Sequence, residues 1–165
     1  MSKTGYVNGS DALMSVAGKA IGHCTEHTAT FSAEVKARAV KPVATLGIEA
    51  GLWGESSVTG LSVTVSAKGV RHYGETEGGF KTLLELWKSA KPVEVTLFER
   101  NETAATGSST ALPAPYYKGN FIITKVSTSP KAKEDAEYDV ELQSTGVPLL
   151  LDVTKITGET LTTKS

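Results

Sequence analysis

The sequence has few of the residues that build chemical centres. Its 165 residues include one cysteine, Cys24, and three histidines. A single cysteine excludes an intramolecular disulfide framework. Three histidines and one cysteine also provide few ligands for a metal centre. The chain also has no excess of charge of one sign, because it contains 17 lysines and arginines and 18 aspartates and glutamates. That balance argues against a strongly basic surface that binds nucleic acid. A net charge near zero also favours association between copies of the chain.

Long apolar runs are also absent. The longest, from Val147 to Val153, is interrupted by Pro148 and Asp152, whereas a membrane span needs roughly 20 apolar residues. The first residues contain no apolar segment typical of a signal peptide. The sequence therefore predicts synthesis in a cytoplasm and no membrane partner. A hydrophobic fraction of 39% in a chain of this length predicts one folded domain.

Motifs of enzymes are missing as well. The chain contains neither a Gly-x-Ser-x-Gly elbow nor a phosphate-binding loop. His23 and His27 would lie about 13 Å apart on a continuous strand, too far to hold one ion, although a turn between them would bring them together. Cys24 would need a positioned base to act as a nucleophile, and its expected role is a small buried hydrophobe. We expect no enzyme, no cofactor and no metal site.

Most of the chain alternates apolar and polar residues with period two, which is the signal of half-buried strands. This pattern covers Thr28–Val35, Leu61–Ser66, Val93–Glu99 and Tyr138–Gln143. Phe121 to Ile123 is a continuous apolar run, which predicts a strand covered on both faces. Before these strands, Gly18 lies between two short apolar segments and predicts a hairpin turn with positive φ.

One segment has helical spacing instead. Phe80, Leu83, Leu84 and Trp87 fall at i, i+3, i+4 and i+7, so they form one apolar stripe and Trp87 is expected in the core. The helix should begin after Gly79 and end near residue 90, because Pro92 disfavours helical backbone before it. The predicted fold is mainly β, an antiparallel β-sandwich or partial barrel with one flanking α-helix.

Two long segments lack periodicity. They are residues 37–57, with Trp53 between glycines, and residues 101–115, rich in small side chains. Loops of this length inside one domain are commonly functional or disordered. Trp53 is either an interface anchor or folded back and buried, and both alternatives stay open. We expect a single domain over residues 1–151, with an N-terminal arm and these two loops, and a polar C-terminal arm at 152–165.

The order of these elements resembles a known family. It comprises a hairpin with Gly18-Lys19-Ala20-Ile21-Gly22-His23, a polar-alternating strand, a long Gly/Trp loop, one helix ending at Lys91-Pro92-Val93, the segment Tyr117–Val126, and the segment Tyr138–Gly146. From Asp11 to Leu150 the chain looks like the tail tube (major tail) protein of tailed bacteriophages, of the kind found in Bacteroidetes-type phages and prophages.

The resemblance implies a structural subunit of the virion tail, assembled in the bacterial cytoplasm. Such subunits form stacked, hexameric rings whose inner β-barrel conducts DNA during ejection. The expected partners are further copies of the chain, a tape measure protein and a tail terminator, with DNA as transient cargo. The alternatives are the inner tube of a contractile injection or type VI-like secretion machine, and a carbohydrate- or partner-binding β-sandwich.

Two groups of residues are candidates for this role. The polar faces of the predicted strands carry hydroxyls and acids, while lysines and arginines are expected mainly in loops and helix, which suits a lumen that does not hold DNA. The candidate lumen residues are Thr28, Thr30, Ser32, Glu34, Ser62, Thr64, Ser66, Glu94, Thr96, Asp139, Glu141 and Gln143. The candidate contacts between subunits or rings are Arg38, Lys41, Pro42, Leu52, Trp53, Leu112 and Pro113.

Overall fold

The computed structural model describes residues 12–38, 55–73, 78–99 and 114–156. This part of the chain forms one eight-stranded sheet and one α-helix. The elements are β1 (Ala12–Val16), β2 (Lys19–Ala20), β3 (Cys24–Arg38), β4 (Glu55–Val70), α1 (Phe80–Ser89), β5 (Val93–Glu99), β6 (Pro115–Ser129), β7 (Glu137–Ser144) and β8 (Leu150–Leu151).

The strands pair antiparallel in the order β2-β1-β5-β6-β7-β4-β3, with β8 beside β6. The predicted class, mainly antiparallel β with one helix, is therefore confirmed, and the sheet is open at its two ends. Within the described residues no helix is long and apolar enough to cross a membrane.

One face of the sheet forms the core. Every second residue of a strand is buried on this face. Examples are Val93, Val95 and Leu97 of β5, and Tyr138, Val140 and Leu142 of β7. Strands β3 and β6 are three places apart in the sheet, about 14 Å on a flat sheet. The rings of Phe31 (β3) and Tyr117 (β6) nevertheless lie 5.6 Å apart, so the sheet curls over its apolar face.

Helix α1 has the predicted bounds because local signals fix both of its ends. Gly79 is the extended N-cap residue, and the backbone N–H of Leu83 donates to its carbonyl oxygen at 3.0 Å. Ala90 ends the helix in the left-handed region, with φ of 53°. Leu83 is buried and α1 packs on β6. The helix therefore covers the apolar face of the sheet on the β6 side.

The predicted hairpin turn at Gly18 is confirmed. Val16 of β1 pairs with Lys19 of β2, and the two residues between them, Ala17 and Gly18, have φ of 53° and 76°. Positive φ at both central residues is the signature of a type I′ turn, whose twist matches that of paired strands.

Several predicted boundaries differ from the structure. The segment expected as a loop from residue 37 to residue 57 contains the end of β3 and the start of β4, and the segment expected to reach residue 115 as a loop ends where β6 begins. The C-terminal arm contains a 3₁₀ turn at Val153–Lys155, because the Asp152 carboxylate accepts the backbone N–H of Thr154. Residue 122 is half exposed, so the expectation of a strand covered on both faces at 121–123 is wrong: only alternate residues there face the core.

Candidate functional site

The outward face of β3, β4 and β7 is a continuous polar surface. Register places Thr30, Thr64 and Gln143 in one row across the three strands, and Thr28, Ser66 and Glu141 in the next. The residues between them in sequence, such as Val65 and Leu142, are fully buried. The alternation therefore puts the hydroxyls, amides and acids of three strands on the side opposite the core.

Ten of the twelve predicted lumen residues lie on this outward face, and Glu94 of β5 lies on the same side of the sheet, with one correction. All of them except Thr96 are exposed or half exposed. Thr96 is only 7% exposed, so the expectation that it lies on an open surface is wrong. Its strand, β5, lies inside the sheet, and Ser15 of β1 and Lys118 of β6 flank it as cross-strand partners.

Several strand lysines on the outward side of the sheet lie next to acids. Lys118 of β6 lies 3.3 Å from the carboxylate of Glu94, and Lys125 of β6 lies 3.7 Å from that of Glu141. Lys68 of β4 is the cross-strand partner of both Glu26 and Asp139. Sequence alternation could not reveal these lysines as neighbours of acids, because the pairs depend on strand register.

The predicted subunit contacts fall largely beyond the part of the chain that the structure describes. Arg38 is the last residue of β3 and pairs with Glu55 of β4. The remaining candidates lie outside the described residues: Lys41, Pro42, Leu52, Trp53, Leu112 and Pro113.

A second surface was not predicted. Strand β7 pairs with β4 only from Thr64 onward, so residues 31–38 and 55–63 continue as a two-stranded ribbon. The side of this ribbon that continues the core face is exposed, and Leu61 reaches 82% exposure. The other exposed members of this face are Phe31, Val35 and Val58. The sequence predicted strands at Phe31, Val35 and Leu61, but alternation does not show where the neighbouring strand β7 ends and leaves these residues exposed.

Strand β3 also leaves a long edge open. Within the described residues it pairs with β4 alone and forms one end of the sheet. An unpaired edge presents backbone N–H and C=O groups that can accept a further strand. Over its 15 residues, this edge can therefore hydrogen-bond to another chain.

Two single-residue expectations need correction. Trp87, expected in the core, is 50% exposed, and Leu84 on the same side of α1 is 40% exposed. Leu83 takes the buried position instead, and Phe80 and Leu86 also pack against the core, so the side of α1 that faces the sheet is turned away from Leu84 and Trp87. Cys24, expected to be buried, is exposed.

The residues around Cys24 have little chemical reactivity. Desolvation raises the pKa of the Cys24 thiol, which keeps it protonated and a poor nucleophile. Burial lowers the pKa of His27. The His23 ring stacks on that of His72, with centroids 4.7 Å apart. Within the described ranges, no three His, Cys, Asp or Glu side chains come together as ligands for one metal ion.

Comparison of the sequence with known protein families gives one match. Residues 7–149 match the sequence model of a family described as phage tail tube protein. No curated protein sequence matches the chain at a significant level.

Three solved structures share the fold. The tail of an empty gene transfer agent (GTA) particle, determined with C6 symmetry, has a TM-score of 0.64 at 17% identity, over 88% of this chain and 98% of that chain. The SPP1 tail tube has a TM-score of 0.59 at 13% identity, over 86% and 77% of the two chains. The sheath–tube complex of the extracellular contractile injection system PVC, in its extended state, gives 0.56 at 12% identity, over 86% and 88%.

Proposed function

Since the chain belongs to the phage tail tube protein family, we propose that its copies assemble into stacked rings of six, and that DNA passes through the lumen of the resulting tube during ejection. The observation that carries this proposal is the sheet itself. It combines a polar outward face with a long open edge at β3, which are the two properties that a lumen wall built from copies of one subunit requires.

The open edge supports ring formation. A long unpaired strand is an aggregation hazard for a free protein. Edge-to-edge pairing that closes on itself removes the hazard, and contact between two different edges of identical subunits generates rings. Six copies per ring is proposed from the likeness to the GTA tail with C6 symmetry.

The outward polar face supports the role as a conduit. Lysines bind DNA phosphates and release counterions, which would hold the genome in place. On this face Lys118 and Lys125 lie next to carboxylates, so their charge is offset. The proposed lumen residues are those of the sequence prediction without Thr96.

The remaining features of the proposal come from the family resemblance. The candidate contacts from Arg38 to Pro113 hold adjacent subunits or rings, tape measure and terminator proteins are further partners, and assembly takes place in the host cytoplasm. The Bacteroidetes-type host stays a prediction. Membership of a structural tail family points to a non-enzymatic role.

Electron microscopy of the purified, concentrated protein tests the proposal. We expect rings or tubes with sixfold symmetry in projection. A protein that remains monomeric at every concentration, together with its absence from tubes of purified virions, would contradict the proposal.

A second candidate function is the inner tube of a contractile injection machine. It is favoured by the likeness to the PVC sheath–tube complex. The two functions differ in one observable: an inner tube of this kind carries a sheath on its outer surface. Co-assembly with a sheath protein encoded beside it would favour the second function, and a bare tube in purified particles would favour the first.

A further inference from the structure

The ribbon formed by residues 31–38 and 55–63 has an apolar face whose large side chains are exposed in the part of the chain that the structure describes. Phe31, Val35, Val58 and Leu61 are each more than half exposed on it. Together they expose on the order of 400 Å² of apolar surface, which equals the largest patch of a typical monomer. A protein that stayed monomeric would leave this surface in water.

This face adjoins the core of the sheet. The ring of Phe31 lies edge-on to that of Tyr117, which is buried. Tyr117 pairs across strands with Leu151 of β8, so Leu151 lies on the same side of the sheet, and it too is exposed. We call the exposed surface formed by the four ribbon residues and Leu151, on either side of the buried Tyr117, the apolar mouth.

Helix α1 carries a second exposed apolar surface. Leu84 and Trp87 are spaced i, i+3 and are about half exposed, while Leu83 holds the helix on its own sheet. Residues at this spacing project on one side of a helix, and such a stripe fits an apolar groove. Tryptophan is also among the residues that contribute most at protein interfaces.

We propose that the apolar mouth of each subunit receives helix α1 of the neighbouring copy in the ring, with Trp87 as the anchor. This inference rests on the proposed function and names the contact that joins the subunits. The mouth and the stripe are different surfaces of one chain, so their contact is heterologous, and a heterologous contact that closes produces a ring.

The area supports a second copy as the occupant. One partner in a stable interface buries roughly 800 Å², about twice what the ribbon residues expose. Exposed Leu151 and the open edge of β3 extend this surface beyond the four ribbon residues. A neighbour that covers the mouth is therefore also placed to pair with the β3 edge.

Cross-linking between single-cysteine variants tests the contact. In a Cys24→Ser background, Leu61→Cys protein is mixed with Lys88→Cys protein, assembled, and treated with a short bis-maleimide; Lys88 is the exposed residue next to Trp87, so the anchor is kept. We expect cross-linked dimers at least 10-fold above those of a Ser62→Cys and Lys88→Cys mixture. Ser62 follows Leu61 in β4 and lies on the opposite face of the ribbon, so it is a matched control.

The outcomes separate this inference from the proposed function. Tubes without the expected cross-link would overturn the inference and leave the proposed function standing. Cross-linking of Leu61→Cys to itself would show two ribbons face to face and would also overturn it. Failure of the unmodified chain to form tubes would remove the proposed function and the contact together.

A second pair of variants does not depend on cysteine chemistry. Trp87→Ala is compared with Lys88→Ala, the next residue of α1, which is also exposed. We expect Trp87→Ala to raise the protein concentration needed for tube formation at least 10-fold, with unchanged circular dichroism of the monomer. Equal assembly of the two variants would overturn the inference.

Discussion

Gly69 of β4 leaves space for the ring of Tyr138, its cross-strand partner on β7. A Cβ atom added to Gly69 would lie 2.6 Å from the Tyr138 Oη atom and 2.7 Å from its Cζ atom. The ring cannot simply move away. Tyr138 is buried, and its hydroxyl donates a hydrogen bond to the carbonyl oxygen of Gly22.

We therefore expect Gly69→Ala to destabilise the subunit. Overpacking of a well-packed core costs about 1–3 kcal/mol, and loss of the hydrogen bond to Gly22 adds about 1 kcal/mol. The lower entropy of an unfolded chain with alanine returns about 0.4–1 kcal/mol. The expected loss in the free energy of unfolding is therefore about 1–4 kcal/mol.

Two further variants make the prediction specific. Gly60→Ala lies on the same strand, but its Cβ would meet the Glu34 side chain at an ordinary 3.6 Å, so stability should stay the same or rise slightly. Tyr138→Phe removes the atom closest to the added methyl group. In the Gly69→Ala background it should therefore cost less than it does alone.

Urea unfolding of dilute, monomeric protein, followed by circular dichroism, measures all four variants. Double-mutant analysis of Gly69→Ala and Tyr138→Phe then gives their coupling energy. The reasoning would be refuted if Gly69→Ala were as stable as Gly60→Ala, or if the two substitutions at 69 and 138 were additive.

Three other predictions follow from the described side chains. Leu83→Ala should cost about 2–5 kcal/mol in urea unfolding, because Leu83 is the buried contact of α1; a smaller loss than for Trp87→Ala would contradict the assignment. Thr30→Arg should make tubes retain duplex DNA, with retention falling as salt rises; salt-independent retention would show that the introduced guanidinium does not contact phosphates. Burial lowers the pKa of His27, so the unfolded chain binds its proton more readily and stability falls as pH drops through about 6.5. His27→Gln should reduce this loss below about pH 6.5, and identical pH profiles would show that His27 does not cause it.

Local signals in the sequence predicted the elements well. Pro92 and the pair of glycines before Phe80 mark the ends of α1, and Gly18 marks the turn of the first hairpin. Period-two alternation identified the residues of β5 and β7 that share the core face. Each of these signals acts within a few residues, so no knowledge of partners was needed.

What alternation could not predict is what covers each face. It groups Phe31 with the core residues of β3, but Phe31 and Leu61 lie beyond the end of β7 and are exposed. It groups Thr96 with exposed hydroxyls, but flanking strands bury it. The lysine–carboxylate pairs depend on register, which the sequence does not contain. Trp87 was wrongly predicted in the core because helical spacing defines an apolar stripe but not which side of α1 packs on the sheet.

The ribbon beyond β7 also has a thermodynamic consequence. Two strands without a third are marginally stable in water, so residues 31–38 and 55–63 open locally at a lower free energy than the rest of the sheet. A neighbour that binds only the closed ribbon stabilises it by mass action. In a tube of the proposed kind, amide hydrogens of this segment would exchange rapidly in a free subunit and slowly after incorporation. The ribbon would thus report, residue by residue, whether its subunit has joined a ring.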